Sequence, residues 1–170
     1  MDINLFLSTI LFPGIIFHEL GHVIACLFLG VPIEKIKWCG KDGGYVIHKD
    51  SKPYKNIIIA LIPFIFNIFI SLILARIYLL NTDIIIRIIC VWFAISALFF
   101  CVPSSQDAQN VFNALKENYS KTNILQILLN IIFLPLTIII LIISFFFKII
   151  HNSLYFRIIL ILIWLFLFII

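Results

Sequence analysis

Polar stretches divide the chain into five long apolar segments. The first runs from about Ile3 to Gly30, the second from about Ile57 to Leu80 and the third from about Ile84 to Val102. The fourth spans about Ile124 to Ile150 with Pro135 inside it, and the last about Leu154 to Ile170. Each is near or beyond the roughly 20 residues a helix needs to cross a bilayer. This pattern predicts an all-α multi-pass membrane protein with about five transmembrane helices. Two polar stretches are long enough to hold structure of their own. In the first, "IEKIKW" and "GYVIHK" alternate roughly around the turn-forming "CGKDGG", which predicts a small β-hairpin loop after the first helix. In the second, "PSSQDAQNVFNALKENYSKTN", Ser104 or Ser105 can cap a short helix. Ala108, Val111, Phe112, Leu115 and Tyr119 fall at helical spacing there, with Asp107 on the inward edge. No internal repeat or appended soluble domain interrupts the pattern. Residues 1–170 therefore read as a single integral membrane domain, with a core over 3–115 and additional transmembrane helices over 124–170.

Composition sharpens this reading. The chain is 64% hydrophobic and 12% charged, with a mean hydropathy of +1.21. Soluble domains are about half apolar and about a quarter charged, so the expected partner of this surface is the lipid bilayer. The net charge of +4 comes mostly from the hairpin loop and does not suggest nucleic-acid binding. Lys35, Lys37, Lys41, Lys49, Lys52 and Lys55 lie in that loop, with Lys116 and Lys121 in the second polar stretch. Arg76, Arg87, Lys148 and Arg157 lie near span ends on the other side. By the positive-inside bias, both long loops are cytoplasmic and the N-terminus is outside, in the cell membrane. Asp2 stands where a signal peptide would be basic, so the first segment is expected to stay in the mature protein. Cys26, Cys39, Cys90 and Cys101 form no CxxC pair, and the three in or beside apolar runs read as packing residues.

Against this apolar background, "IIFHELGHVIA" places His18, Glu19 and His22 inside a predicted span. An acidic residue near the bilayer centre costs roughly 2.5–3.5 kcal/mol on insertion scales, and such residues are functional by default. "HELGH" is an HExxH sequence. On a helix, residues i and i+4 share a face, so His18 and His22 can present two imidazoles to one metal ion. Glu19, one position on, stands beside the metal as a general base. Zinc suits this arrangement of two ligands plus a base and acidifies water to a pKa of about 7. The alternative is a buried His–Glu hydrogen-bond cluster that holds helices together. Gly21, within the motif, leaves room for a neighbouring backbone.

A catalytic zinc usually has three protein ligands and an open position. Asp107 is the best third candidate, because it lies on the same cytoplasmic side as His18 and His22, provided "PSSQD" dips back toward the membrane. Equally open is an Asp in a first helical turn, favourable to the helix dipole. His48 and Asp50 end the hairpin on the same side but read better as solvated loop residues, and Cys26 as packing. Asp83 and His151 fall on the opposite side. Asn67, deep in "LIPFIFNIFIS", has two readings. One is a contact to substrate or to the oxyanion of a tetrahedral intermediate, worth about 3–4 kcal/mol. The other is an interhelical hydrogen bond.

Taken together, "HELGH", "IPFIFN" and "PSSQD" resemble the site-2 protease family of intramembrane zinc metalloproteases over roughly residues 8 to 115. The resemblance implies HExxH on a first core helix and a Gly-Pro motif followed by Asn on a second. It also implies an Asp ligand on a third and a membrane-associated β-loop after the first. It departs at Ile62, where the family has Gly, at Asn67, one residue later than usual after Pro63, and at Ala108, where Gly follows the Asp. No PDZ or other regulatory domain is seen, and no regulatory partner is read from the chain. The resemblance implies a Zn2+ site of His18, His22 and Asp107, with Glu19 and Asn67 at the chemistry. It further implies a transmembrane protein segment as substrate, cleaved near the cytoplasmic side in regulated intramembrane proteolysis. Two other functions stay open. One is a membrane zinc hydrolase of the prenyl-protein endopeptidase type, which would need a further Glu or His ligand. The other is a non-catalytic membrane scaffold with a residual site.

Overall fold

The computed structural model describes residues 3–40, 43–120 and 153–168, together with Ile139, Ile142, Phe145 and Phe146. It is mostly helical, with one two-stranded sheet. In chain order the elements are α1 (Ile3–Ile10), α2 (Phe12–Leu29), β1 (Ile33–Lys37), β2 (Tyr45–His48), α3 (Pro53–Leu80), α4 (Ile84–Phe99), α5 (Ser105–Ser120) and α6 (Leu154–Phe168). The fourth apolar segment falls outside the described residues apart from those four positions, as does His151.

Among the described residues, two helices, α2 and α3, are long and apolar enough to cross a membrane. The predicted third and last spans appear as apolar helices of 16 and 15 residues, shorter than about 20. The predicted first span is not one helix. It divides at Leu11, because Pro13 has no N–H to continue the helical ladder back into α1. The carbonyl of Ile10 at the end of α1 is taken up by the indole N–H of Trp92, 3.0 Å away. At its far end α2 stops at Gly30, whose left-handed backbone (φ 63°) lets the Val31 N–H reach back to the Cys26 carbonyl. Lys55 Nζ donates to the Leu29 carbonyl at 2.6 Å, placing a cation at the same helix C-terminus.

The hairpin forms as its alternation predicts. β1 and β2 pair antiparallel, with Lys37 opposite Tyr45 and Ile33 opposite His48. Between them, the Gly43 N–H donates to the Gly40 carbonyl at 3.0 Å.

α3 is the hub of the molecule and packs against α2, α4 and α5, while α4 also meets α2 and α6. Small residues line the contacts. Ala75, Ala94, Ala97, Ser71 and Ser96 are buried, whereas Leu27, Phe28, Ile65, Ile84 and Ile85 are exposed. Small residues inside and large apolar ones outside are what lipid selects, since lipid tails are as apolar as leucine and close backbone approach drives association. On α5, Asp107, Ala108, Val111, Ala114 and Leu115 face inward. Phe112, expected inward, is exposed, because the buried stripe runs through 107, 111, 114 and 115 and leaves position 112 off its edge. The side chain of Tyr119 lies outside the described residues.

Candidate metal centre

HExxH lies on α2, and its helical spacing puts both imidazoles on the face turned toward α3 and α5. His18, Glu19, His22 and Asp107 are 8%, 6%, 8% and 6% exposed. Four ionisable groups at that depth need partners or a cation. His18 Nδ1 lies 2.9 Å from the Phe100 carbonyl, and His22 Nδ1 lies 2.9 Å from the Ile59 carbonyl. A carbonyl only accepts, so each Nδ1 carries a hydrogen, and in the neutral ring Nε2 then presents a lone pair. Both lone pairs point at one carboxylate. His18 Nε2 is 3.4 Å from Asp107 Oδ2, and His22 Nε2 is 3.3 Å from Asp107 Oδ1. Facing carboxylate oxygens, each Nε2 is satisfied by a proton of its own or by a cation shared with Asp107.

Ligand atoms from His18, His22 and Asp107 all lie within 4.8 Å of one another. Zinc bonds nitrogen and oxygen at about 2.0–2.2 Å, which sets neighbouring ligands of a tetrahedron about 3.3–3.5 Å apart. The two measured N–O separations fit that edge, and the N,N,O donor set suits zinc. Carbonyl partners on the outer nitrogens are the second-shell arrangement that metal-binding histidines usually have.

Asp107 is delivered by its own helix start. Ser104 precedes α5, and its Oγ accepts from the Asp107 N–H at 3.1 Å. In return, Asp107 Oδ2 accepts from the Ser104 N–H at 2.8 Å and its hydroxyl at 2.6 Å. This is a capping box with Asp in the acidic position. Burial works to raise the Asp107 carboxyl, but its contacts with His18 and His22 outweigh that and hold it well below the usual carboxylate range. The helix-start reading and the metal-site reading of this residue are therefore both compatible with one conformation.

Glu19 stands beside the cluster. Its Oε2 is buried with no hydrogen-bond partner among the described residues. The hairpin presses on it from the other side. A Cβ built on Gly44 would fall 2.6 Å from Glu19 Cγ. Asn67 is fully buried, and its Nδ2 donates at 3.0 Å to the same Phe100 carbonyl that receives His18. This is an interhelical hydrogen bond, the second of its two readings. A direct contact from Asn67 to substrate would need its other amide hydrogen or a turned side chain.

His18, Glu19, His22 and Asp107 line a cavity of about 1160 Å³, together with β2, Glu117 and Arg157. His48 and Asp50 also line it but are not part of the close ligand group. His48 Nδ1 turns to the Lys49 carbonyl, and Asp50 accepts from Ser51 and Asn56. Cys26 is wholly buried among Ala25, Val31 and Ile59, so it packs. Asp83 caps α4 by accepting from the Ile85 N–H. Sequence reasoning missed the Ile59 and Phe100 carbonyls and the closeness of Gly44 to Glu19. Backbone atoms carry no side-chain signal, and the Gly43–Gly44 pair read only as turn chemistry.

A membrane-associated helical protein with a buried HExxH helix and a distant aspartate facing both histidines has the layout of a membrane metallopeptidase. The sequence profile of the Peptidase M50B-like family matches residues 9–115, and the chain belongs to that family. The match covers the three motifs that resemble site-2 proteases and stops before the C-terminal segments. No curated protein and no solved structure matches the chain.

Proposed function

We propose that this chain is an intramembrane zinc metalloendopeptidase that hydrolyses peptide bonds in membrane-spanning protein segments near the cytoplasmic side. The observation that carries the reading is the convergence of His18 and His22 on Asp107, with Glu19 beside them. His18, His22 and Asp107 would hold the ion. Zinc, when bound there, supplies a Lewis acid that polarises a carbonyl and makes water nucleophilic at neutral pH.

Glu19 is the general base. Its buried, unpartnered Oε2 is free to take a proton from the attacking water and deliver it to the leaving amine. Asn67 holds the Phe100 carbonyl and with it the His18 ring, and donates to the oxyanion if its amide turns toward the cavity. A helical peptide bond is shielded by its own hydrogen bonds, so the substrate must unwind. β2 lines the cavity as one strand of a two-stranded sheet, and an extended substrate segment can pair along its outer edge. The transmembrane segments run from an outside N-terminus, with the hairpin and α5 cytoplasmic. That side supplies water to the inner half of the bilayer.

A prenyl-protein endopeptidase would use a further Glu or His ligand. Glu117 reaches the cavity wall but not the close ligand group, so Asp107 is the better third ligand. The test is Glu19→Gln with metal analysis of the purified full chain. Cleavage of a membrane substrate is expected to disappear while zinc remains near one per chain. Unchanged cleavage removes Glu19 as the base. A wild type without stoichiometric zinc at neutral pH sinks both hydrolase readings and leaves the scaffold.

A further inference from the structure

His22 can offer Nε2 to an ion only if Nδ1 keeps the hydrogen, and that hydrogen needs an acceptor. The acceptor is the carbonyl of Ile59, in the second turn of α3, at 2.9 Å. Mid-helix carbonyls are normally occupied, each by the N–H four residues on. Four residues after Ile59 stands Pro63, inside the helix and without an N–H. The carbonyl that receives His22 is thus one that the chain itself has left vacant. Proline is the most costly residue in a helix interior, so its presence here asks for a reason.

Packing points the same way. A Cβ on Gly21, the residue before His22, would fall 2.8 Å from Pro63 Cα. α2 therefore meets α3 at close backbone range beside His22, where the vacant carbonyl is needed. His18 needs no such device. Its acceptor, Phe100, follows the end of α4, where carbonyls lack helical partners by default, and Asn67 holds that carbonyl from α3.

We propose that Pro63 is a positioning residue for the metal centre: by withdrawing one amide hydrogen it reserves the Ile59 carbonyl for His22 Nδ1 and fixes the tautomer whose Nε2 faces Asp107. The proposal rests on the metallopeptidase reading but is tested apart from it.

The experiment is Pro63→Ala in the full chain, purified in detergent. Alanine restores the N–H aimed at Ile59 and adds no bulk. Three readouts are taken: zinc affinity by competition with a chromophoric chelator, the His22 tautomer from 15N NMR of metal-free protein, and the thermal midpoint. Zinc affinity is expected to fall about 10–100-fold, the range for losing an outer-shell partner of a metal ligand. In metal-free protein the His22 ring is expected to pass from the Nδ1–H tautomer to a mixture, while the midpoint holds or rises because a helix breaker has gone. A role confined to shaping α3 would move the midpoint and leave affinity and tautomer unchanged, and that result overturns the proposal. Should Pro63→Ala not fold, Pro63→Gly restores the same N–H and carries the same expectation. A wild type whose metal-free His22 is Nε2–H overturns the proposal without any variant. A wild type that binds no zinc overturns the proposed function instead, with the tautomer readout still deciding the role of Pro63.

Discussion

Asp107 serves two neighbourhoods at once. One carboxylate closes the capping box with Ser104 and faces Nε2 of both histidines. The two roles separate by substitution. Asp107→Asn keeps an acceptor oxygen for the Ser104 amide, so its thermal midpoint is expected close to the wild type. Asp107→Ala removes the return half of the capping box, the acceptor for the Ser104 N–H and hydroxyl, and is expected to cost about 1–3 kcal/mol of stability. Both lose a charged ligand, so both are expected to lose zinc affinity by more than the roughly 10–100-fold of an outer-shell change. Chelator competition and thermal unfolding in detergent measure the two effects. Zinc affinity surviving in Asp107→Ala would remove Asp107 from the ligand set and bring His48 or Asp50, already on the cavity wall, back into question. The sequence placed Asp107 on the correct edge of α5 from spacing alone. Its distance to His22 is not legible in sequence, because the two residues lie 85 positions apart and spacing rules reach only a turn or two.

The metal centre depends on how closely helices approach, and α2 approaches its neighbours through glycines. A Cβ at Gly14 would fall 1.9 Å from the Ser96 carbonyl oxygen of α4, against 2.8 Å from Pro63 Cα at Gly21. In both places the obstacle is backbone, which cannot rotate aside. Alanine gains up to about 1 kcal/mol of helix propensity over glycine, while overpacking costs about 1–3 kcal/mol. The overlap at Gly14 is far the deeper, so Gly14→Ala is expected to be net destabilising and Gly21→Ala milder. Gly14→Ala should also weaken zinc binding, because Ser96 lies one turn before Phe100, the residue that holds His18. Denaturant unfolding in detergent with parallel zinc titration checks this. A Gly14→Ala protein more stable than wild type would mean the helices separate freely. Of these elements, the long apolar runs and the hairpin alternation were legible in sequence because each is a local pattern. The break at Leu11 was obscured by unbroken hydrophobicity around Pro13. Phe112 was misplaced because which edge of a helix is buried depends on its neighbours.

At the scale of the molecule, the function requires a direction. The hairpin and the chain leading into the first turn of α3 carry Lys35, Lys37, Lys49, Lys52 and Lys55 among the described residues, and the hairpin touches Glu19 through Gly44. In the proposed function, the side of the membrane that holds the hairpin is also the side that supplies water and unwound substrate to the cavity. Positive charge in short loops favours the cytoplasm. The chain contains its own reporter of this orientation. Cys39, beside the hairpin turn, is exposed, whereas Cys26, Cys90 and Cys101 are buried. A membrane-impermeant maleimide added to intact cells is expected to leave the protein unlabelled. Added to inside-out vesicles, it should label one site per chain, and Cys39→Ser should abolish that signal. Labelling of Cys39 from outside intact cells would place the hairpin and the mouth of the cavity on the outer face. The proposed cleavage would then have to occur on the opposite side of the membrane, whatever the metal site binds.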